Sequence, residues 1–417
     1  MFLFAVLIAL CNFAAVFGAN TTNCSTTAKN TQFLWKITSI QLKVPSYLFG
    51  TIHVPYNQIW NQAILVPQTV KHLFNSSRNV VFELELQKEE TFHRLIKCKN
   101  LPNLDRIHQH IPKDVYNRLR KYIRSFKQYV HQWFLRHSSS HRIAKEGARR
   151  FLKETLVDWD RKKPIWILFL LYRLEHPFED LENVPMLDVH LAQLSRRAGK
   201  HVFALESPEE QCDPLSSVSS SDVEFAINYT LAYLESVKAE RVLTLRHVKK
   251  PEYKSMATQR LIEGYRCGNL ERSLSDTSSP HFIGFGLTHD DDRRAKEIDA
   301  KLRDDIISKR NVLMSNRIES FLHKNPHKSF FFAVGTGHFF GESSITELLE
   351  MKGYTVSAVD RNDDHLLESR EYPDAKKFNS LWVRSNPESR FEAAEKSFAL
   401  RGALALHMVI LAFALHA

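Results

Sequence analysis

Tyr47-Leu48-Phe49-Gly50-Thr51-Ile52-His53 and Phe330-Phe331-Phe332-Ala333-Val334-Gly335-Thr336-Gly337-His338 share one plan. Each is an apolar run of β character, then glycine, two residues and histidine. Each is followed by a helix-like stretch and a second apolar run. The pattern predicts an α/β fold in which two β-GxxH-α-β half-units form a central sheet, with a large helical insertion between them. In open α/β sheets ligands bind beyond the carboxyl ends of the strands. Glycine lets the backbone turn sharply there. Two such units packed as neighbours bring His53 and His338 to one rim.

Other residues point to the same rim. Val80-Val81-Phe82-Glu83-Leu84-Glu85-Leu86 alternates apolar and acidic residues, which predicts a strand with Glu83 and Glu85 on one face. A strand completing a β-α-β unit is buried on both sides, where an unpaired carboxylate costs several kcal/mol. Glu83 is therefore a candidate site residue. Residues 295–322 read as one helix, with Leu302, Ile306, Arg310, Leu313 and Arg317 along one stripe. A guanidinium on an apolar stripe needs an acceptor. Arg310 is expected to pair with a carboxylate such as Glu83, or to meet charge that develops in catalysis.

Two imidazoles and a carboxylate leave positions open for water, as in catalytic divalent-metal sites. His53, His338 and Glu83 are the candidate ligands, with Glu83 and Arg310 the candidate catalytic groups. No H-E-x-x-H helix exists in the chain, which excludes the common zinc-protease arrangement. A third G-x-x-H, Gly286 to His289, precedes Asp290-Asp291-Asp292 and lies in a stretch, 268–294, that reads as an exposed loop.

The rest of the chain reads as follows. Phe33 to Ile37 is a strand, and residues 90–163 are helical, basic and aromatic. Pro164 to Leu174 is a buried helix or a substrate-groove wall, too short to span a bilayer. A helix opens at Met186-Leu187-Asp188 and stops before Gly199. His201 to Glu206 is a strand, 207–222 a loop, and two helices run on to about Glu263. Ser344 and Glu347 fit a capping box, and Tyr354 to Val359 is the last strand.

The chain has 417 residues, 43% hydrophobic and 25% charged, a globular composition. Residues 113–163 hold fifteen Lys and Arg against five Asp and Glu, a surplus equal to the formal net charge of +10 of the whole chain. That segment is a solvated helix face or a patch for an acidic partner. Met1 to Gly18 reads as a secretory signal. Sequons at Asn20, Asn23, Asn75 and Asn228 agree with export and argue against a nucleic-acid partner. Loss of the signal leaves Cys24, Cys98, Cys212 and Cys267, which allow three pairings. Residues 19–360 are expected to form the extracellular domain, 361–397 a charged stalk and 398–417 a membrane anchor. The apolar run Gly402 to Ala417 spans roughly 24 Å as a helix, short of a ~30 Å hydrocarbon core. It reads as a terminal transmembrane helix or as a lipid-anchor (GPI) signal.

With these residues assembled, the chain resembles the TIKI metalloproteases of the TraB/PrgY-like group. The resemblance runs over residues 33–360. It is carried by Tyr47 to Pro55, Val81 to Leu86, Leu261 to Leu270, Glu297-Ile298-Asp299 leading to Arg310-Asn311, and Phe330 to Phe339. It implies a divalent-metal peptidase supported by manganese or cobalt, anchored as a single-pass type I membrane protein. Its implied substrate is a secreted Wnt protein, trimmed near the N-terminus so that Wnt signalling is inhibited. The family's paired histidines fall on His53 and His338 and its strand glutamate on Glu83. Where the family has an aspartate, this chain has Glu85. The alternative is a non-enzymatic tethered decoy, binding a lipidated or peptide ligand through aromatic residues of 126–172. A metal or haem carrier is a third option.

Overall fold

The computed structural model describes residues 30–60, 66–175, 184–212, 217–244, 256–267 and 288–360. The expected signal, stalk and anchor, Asn20, Asn23 and Gly286 lie outside the described residues. Six strands form one sheet: β1 (Asn30–Thr38), β2 (Ser46–Thr51), β3 (Asn79–Phe82), β4 (His201–Ala204), β5 (Phe330–Gly335) and β6 (Thr355–Asp360). Their order is β4-β3-β5-β2-β1-β6. Strands β4, β3, β5 and β2 are parallel, and β1 runs antiparallel to both β2 and β6.

The two β-GxxH-α-β units are present, and they interleave. Strand β5 of the second unit sits between β2 and β3 of the first. In turn β6 lies beyond β1, away from β5. The pairing of β2 with β5 sets Gly50 opposite Val334 and Thr51 opposite Gly335. Both strands thus end at one level, and both histidines leave from it.

The continuous apolar run of β5 follows from cover on both faces of the sheet. Phe331 and Ala333 pack with Phe49 and Phe74 on one side. Phe330, Phe332 and Val334 pack on the other with Met314, Ile318 and Leu322. The helices used below are α1 (Gln68–Ser76), α2 (Glu89–Lys99), α3 (Lys113–His137), α4 (His141–Thr155), α5 (Pro164–Glu175), α6 (Leu187–Arg197), α7 (Ser220–Thr244), α8 (Met256–Cys267), α9 (His289–Arg303), α10 (Lys309–Lys324) and α11 (Ile345–Met351). Helices α1, α6 and α8 cover the first face, and α10 and α11 the second.

The helical insertion has its own core. Residues Ile165 to Leu171 of α5 are all buried in it, so this stretch is an internal helix and not a groove wall. Along α3, Leu119, Ile123, Phe126 and Val130 are buried at helical spacing, while the basic residues of α3 and α4 other than Arg118 face solvent. A Cys98–Cys212 disulfide ties the end of α2 to the short helix Pro208–Cys212. Cys267 is disulfide-bonded as well. Among the described residues no helix is long and apolar enough to cross a membrane.

Three local expectations are corrected. Strand β3 stops at Phe82, so Glu83 lies just past its end and Glu85 sits in a turn, paired with Lys88 at 2.8 Å on the surface. The stretch 289–294 is not loop but the start of α9. Thr288 Oγ1 accepts from Asp291 N–H, and Asp291 accepts from Thr288 N–H. The acidic run therefore serves a helix N-terminus, and His289 is exposed. Finally, the helix expected over 295–322 is interrupted by a π turn, Asp304–Ser308, closed by Lys309 N–H donating to Asp304 O. The extra residue rotates everything downstream. The buried stripe accordingly passes from Leu302 and Ile306 to Arg310, Asn311, Met314, Ser315 and Ile318, leaving Leu313 half-buried.

Candidate functional site at the carboxyl ends of β2, β3 and β5

His53 follows β2, Glu83 follows β3, and His338 lies in the 3-10 turn Thr336–Phe339 that follows β5. All three are buried. They meet around Gly335. A Cβ there would stand 3.1 Å from Glu83 Oε1, 3.7 Å from His338 Cδ2 and 3.8 Å from His53 Nε2. The backbone of Gly335 is ordinary, with φ −55°, so space and not conformation calls for glycine here. His338 Nε2 lies 3.9 Å from Glu83 Oε1.

Each side chain is held by neighbours. His53 Nδ1 faces Asp188 Oδ2 at 3.3 Å, from the first turn of α6. His338 Nδ1 meets Asn311 Oδ1 at 2.6 Å, from α10. Glu83 Oε1 accepts from Gly335 N–H at 2.7 Å, and Oε2 accepts from Gln211 Nε2 at 3.1 Å and Arg310 Nη2 at 3.0 Å. Arg310 also donates from Nε and Nη2 to Glu206 at 2.7 and 2.5 Å, and from Nη1 to Ile306 O at 3.1 Å. The carbonyl of Ile306 belongs to the π turn, which thus both aims and anchors Arg310. Asp305 in the same turn is buried and accepts from Ser217 N–H and Oγ–H and from Lys309.

The electrostatics separate the two histidines. Burial works against a charged His53, yet the Asp188 carboxylate, helped by Glu83, holds its pKa above the usual value. Burial and the Arg310 charge push His338 down to about 3. For Arg310 the cost of burial is outweighed by Glu206 and Glu83, which keep it charged. A small cleft with room for about one water at most opens between Thr51, His53, Glu83, Leu84, Asp188 and Ala192.

The chain matches the TraB/PrgY/gumN family over residues 33–358. It is 35% identical to metalloprotease TIKI2 of Danio rerio over 84% of this chain and 67% of that protein. It is 33% identical to a metalloprotease TIKI homolog of Nematostella vectensis, over 80% of this chain and 69% of that one. Metalloprotease TIKI1 of Xenopus tropicalis is also 33% identical, over 85% and 68%. The chain belongs to the TIKI metalloproteases of the TraB/PrgY/gumN family. No solved structure matches it.

TIKI relatives carry the name metalloprotease, which implies a divalent ion and a protein substrate. Among the described residues no group of three His, Cys, Asp or Glu is closed around one point as it stands. The donor chemistry nevertheless fits. Both imidazoles have Nδ1 turned to an oxygen, so Nε2 is the nitrogen that each would offer to an ion. His53 Nε2 and Glu83 Oε1 flank the space that a Cβ at Gly335 would fill, with the His338 ring beside it. Of the sequence candidates, the structure gathers His53, Glu83, His338 and Arg310, and sets Glu85 apart. Asn228 is exposed on α7 and Asn75 half-buried at the end of α1. Sequence reasoning missed Asp188, Glu206, Gln211 and Asn311 as parts of the site. Only Glu206 had a local signal: like Glu83, it is an acid just past a short apolar strand.

Proposed function

We propose that this TIKI-family chain is a metal-dependent peptidase whose His53, His338 and Glu83 hold a divalent ion, of the manganese or cobalt type that the resemblance implies. Its proposed substrate is a secreted Wnt protein, cut near the N-terminus so that Wnt signalling falls. The body spanning 19–360 works outside the cell in this reading, after removal of residues 1–18. The charged stretch 361–397 is a stalk, and the apolar stretch 398–417 tethers the protein to the membrane. Asn20, Asn23, Asn75 and Asn228 are its glycosylation positions.

The observation that carries the reading is the convergence of His53, Glu83 and His338 on Gly335 at the carboxyl ends of three adjacent parallel strands. A bound divalent ion supplies Lewis acidity, polarising a carbonyl and making water a nucleophile near neutral pH. The protein's own groups then have distinct tasks. Glu83 presents a carboxylate paired with Arg310 and aimed by Gly335 N–H and Gln211. Arg310 acts on Glu83 and Glu206, to which its donors are committed, so its contribution to catalysis runs through Glu83. His338 stays neutral and able to donate its Nε2 lone pair across the physiological range.

The test is to incubate the purified protein with candidate Wnt proteins, with and without chelator, and read intact masses. A shortened Wnt that disappears with chelator, and with His53→Ala or His338→Ala, is the expected result. Cleavage that survives both substitutions in chelator removes the reading.

A further inference from the structure

Resting on the metal reading above, we propose that Asp188 and Asn311 are positioning residues that fix both site imidazoles as the Nδ1–H tautomer, so that both Nε2 lone pairs are offered to one ion. Neither residue belongs to a GxxH unit. Asp188 comes from α6 in the long insertion, and Asn311 from α10, just after the π turn.

The Asn311 amide has a determined orientation. Its Nδ2 donates to Ser343 O at 2.9 Å, so its Oδ1 is the atom 2.6 Å from His338 Nδ1. An amide oxygen only accepts, so Nδ1 must carry the proton. A flipped amide would set oxygen against the Ser343 carbonyl and NH2 against the ring. Asp188 is buried, and its carboxylate Oδ2 stands 3.3 Å from His53 Nδ1. A bare imidazole nitrogen facing that oxygen would be repelled, so Nδ1 of His53 carries its proton as well. The two holders differ in charge. One histidine leans on a carboxylate and the other on a neutral amide, so the duplicated motif yields two chemically unequal donors. Such outer partners raise ligand basicity and set ring orientation.

The experiment has two arms on the full chain. In the first, Co2+ affinity and the visible Co2+ spectrum are measured for wild type, D188A, N311A and D188N, with circular dichroism as the folding control. Asp188→Ala and Asn311→Ala are each expected to weaken Co2+ binding about 10- to 100-fold and alter the spectrum. Asp188→Asn, which keeps an accepting oxygen, recovers part of the loss. Unchanged affinity in both alanine variants overturns the proposal. The second arm reads the tautomers directly in metal-free wild type, by nitrogen NMR of labelled histidines, with His53→Gln and His338→Gln assigning the signals. Recorded at a pH high enough for both rings to be neutral, two Nδ1–H rings are expected, and a neutral Nε2–H ring at either position overturns the proposal even where the alanine variants fail to fold. If wild type takes up no Co2+, the metal reading falls, and the ring tautomers still decide whether Asp188 and Asn311 orient the two histidines.

Discussion

Arg310 forks onto Glu206, with Nε and Nη2 donating to the two carboxylate oxygens at 2.7 and 2.5 Å, while the same Nη2 reaches Glu83 at 3.0 Å. All three side chains are buried. Removing one partner of a buried ion pair leaves a charge with neither water nor counter-ion, at a cost of about 3–5 kcal/mol. Arg310→Met is expected to lower stability by that amount in urea unfolding, because two carboxylates lose their cation together. Adding Glu206→Gln should recover part of the loss. An Arg310→Met protein as stable as wild type refutes this account of the pair.

Gly335 and Gly199 predict opposite kinds of damage. A methyl at 335 enters the space among Glu83, His338 and His53, so Gly335→Ala should cut metal affinity and peptidase activity at least about tenfold, with a stability cost of about 1–3 kcal/mol. At Gly199, φ is +63° and nothing lies within 4 Å of where a Cβ would stand. Gly199→Ala should cost about 1 kcal/mol of stability through its backbone and leave activity alone. Paired melting and activity measurements separate the two.

Acid sensitivity should trace in part to His190 on α6. Its ring stacks on Tyr56 at 3.9 Å, and burial, with the Arg197 charge, pushes its pKa from 6.5 to about 4. Between those values the unfolded chain takes up a proton that the folded chain refuses. Stability from this group is therefore full above pH 6.5 and falls as the pH drops towards 4, by about 3 kcal/mol in all. His190→Phe should flatten that part of the stability–pH curve. An unaltered slope in the variant argues that other groups set it.

The Cys98–Cys212 bridge closes a long loop, with a sequence separation of 114, and a loop of this size stabilises by about 3–5 kcal/mol. Gln211, next to the bridge, donates to Glu83. The double variant C98S/C212S is expected to be less stable by that amount and also to bind metal more weakly. A loss of stability with unchanged metal affinity would show that Gln211 is held without the bridge.

The half-units were legible because an apolar run, glycine and histidine are local signals, and a doubly covered strand needs an unbroken apolar run. The apolar–acidic alternation singles out Glu83 but carries the strand too far, because β3 ends one residue before it. What stayed hidden is non-local. Asp188 looks like an ordinary acidic residue in a first helical turn, and Asn311 like a helix-body residue. Only the fold sets them against His53 and His338, across separations no periodicity reports. The π turn has no pattern of its own, so the periodicity through Leu302, Ile306 and Arg310 points to Leu313, whereas the buried residue is Met314.

The interleaved sheet has a consequence for biosynthesis. Strands β2 and β3 leave the ribosome early, yet they do not pair with each other. The strand that fills the gap between them is made much later, as the Asn79 to Ser329 contact across 250 residues shows. Until β5 arrives, both inner edges stay open, and the nascent chain carries unpaired, strongly apolar strand edges through most of its synthesis. Folding of the sheet is thus delayed until the second half has emerged, and the chain's dependence on chaperones should be greatest in that interval.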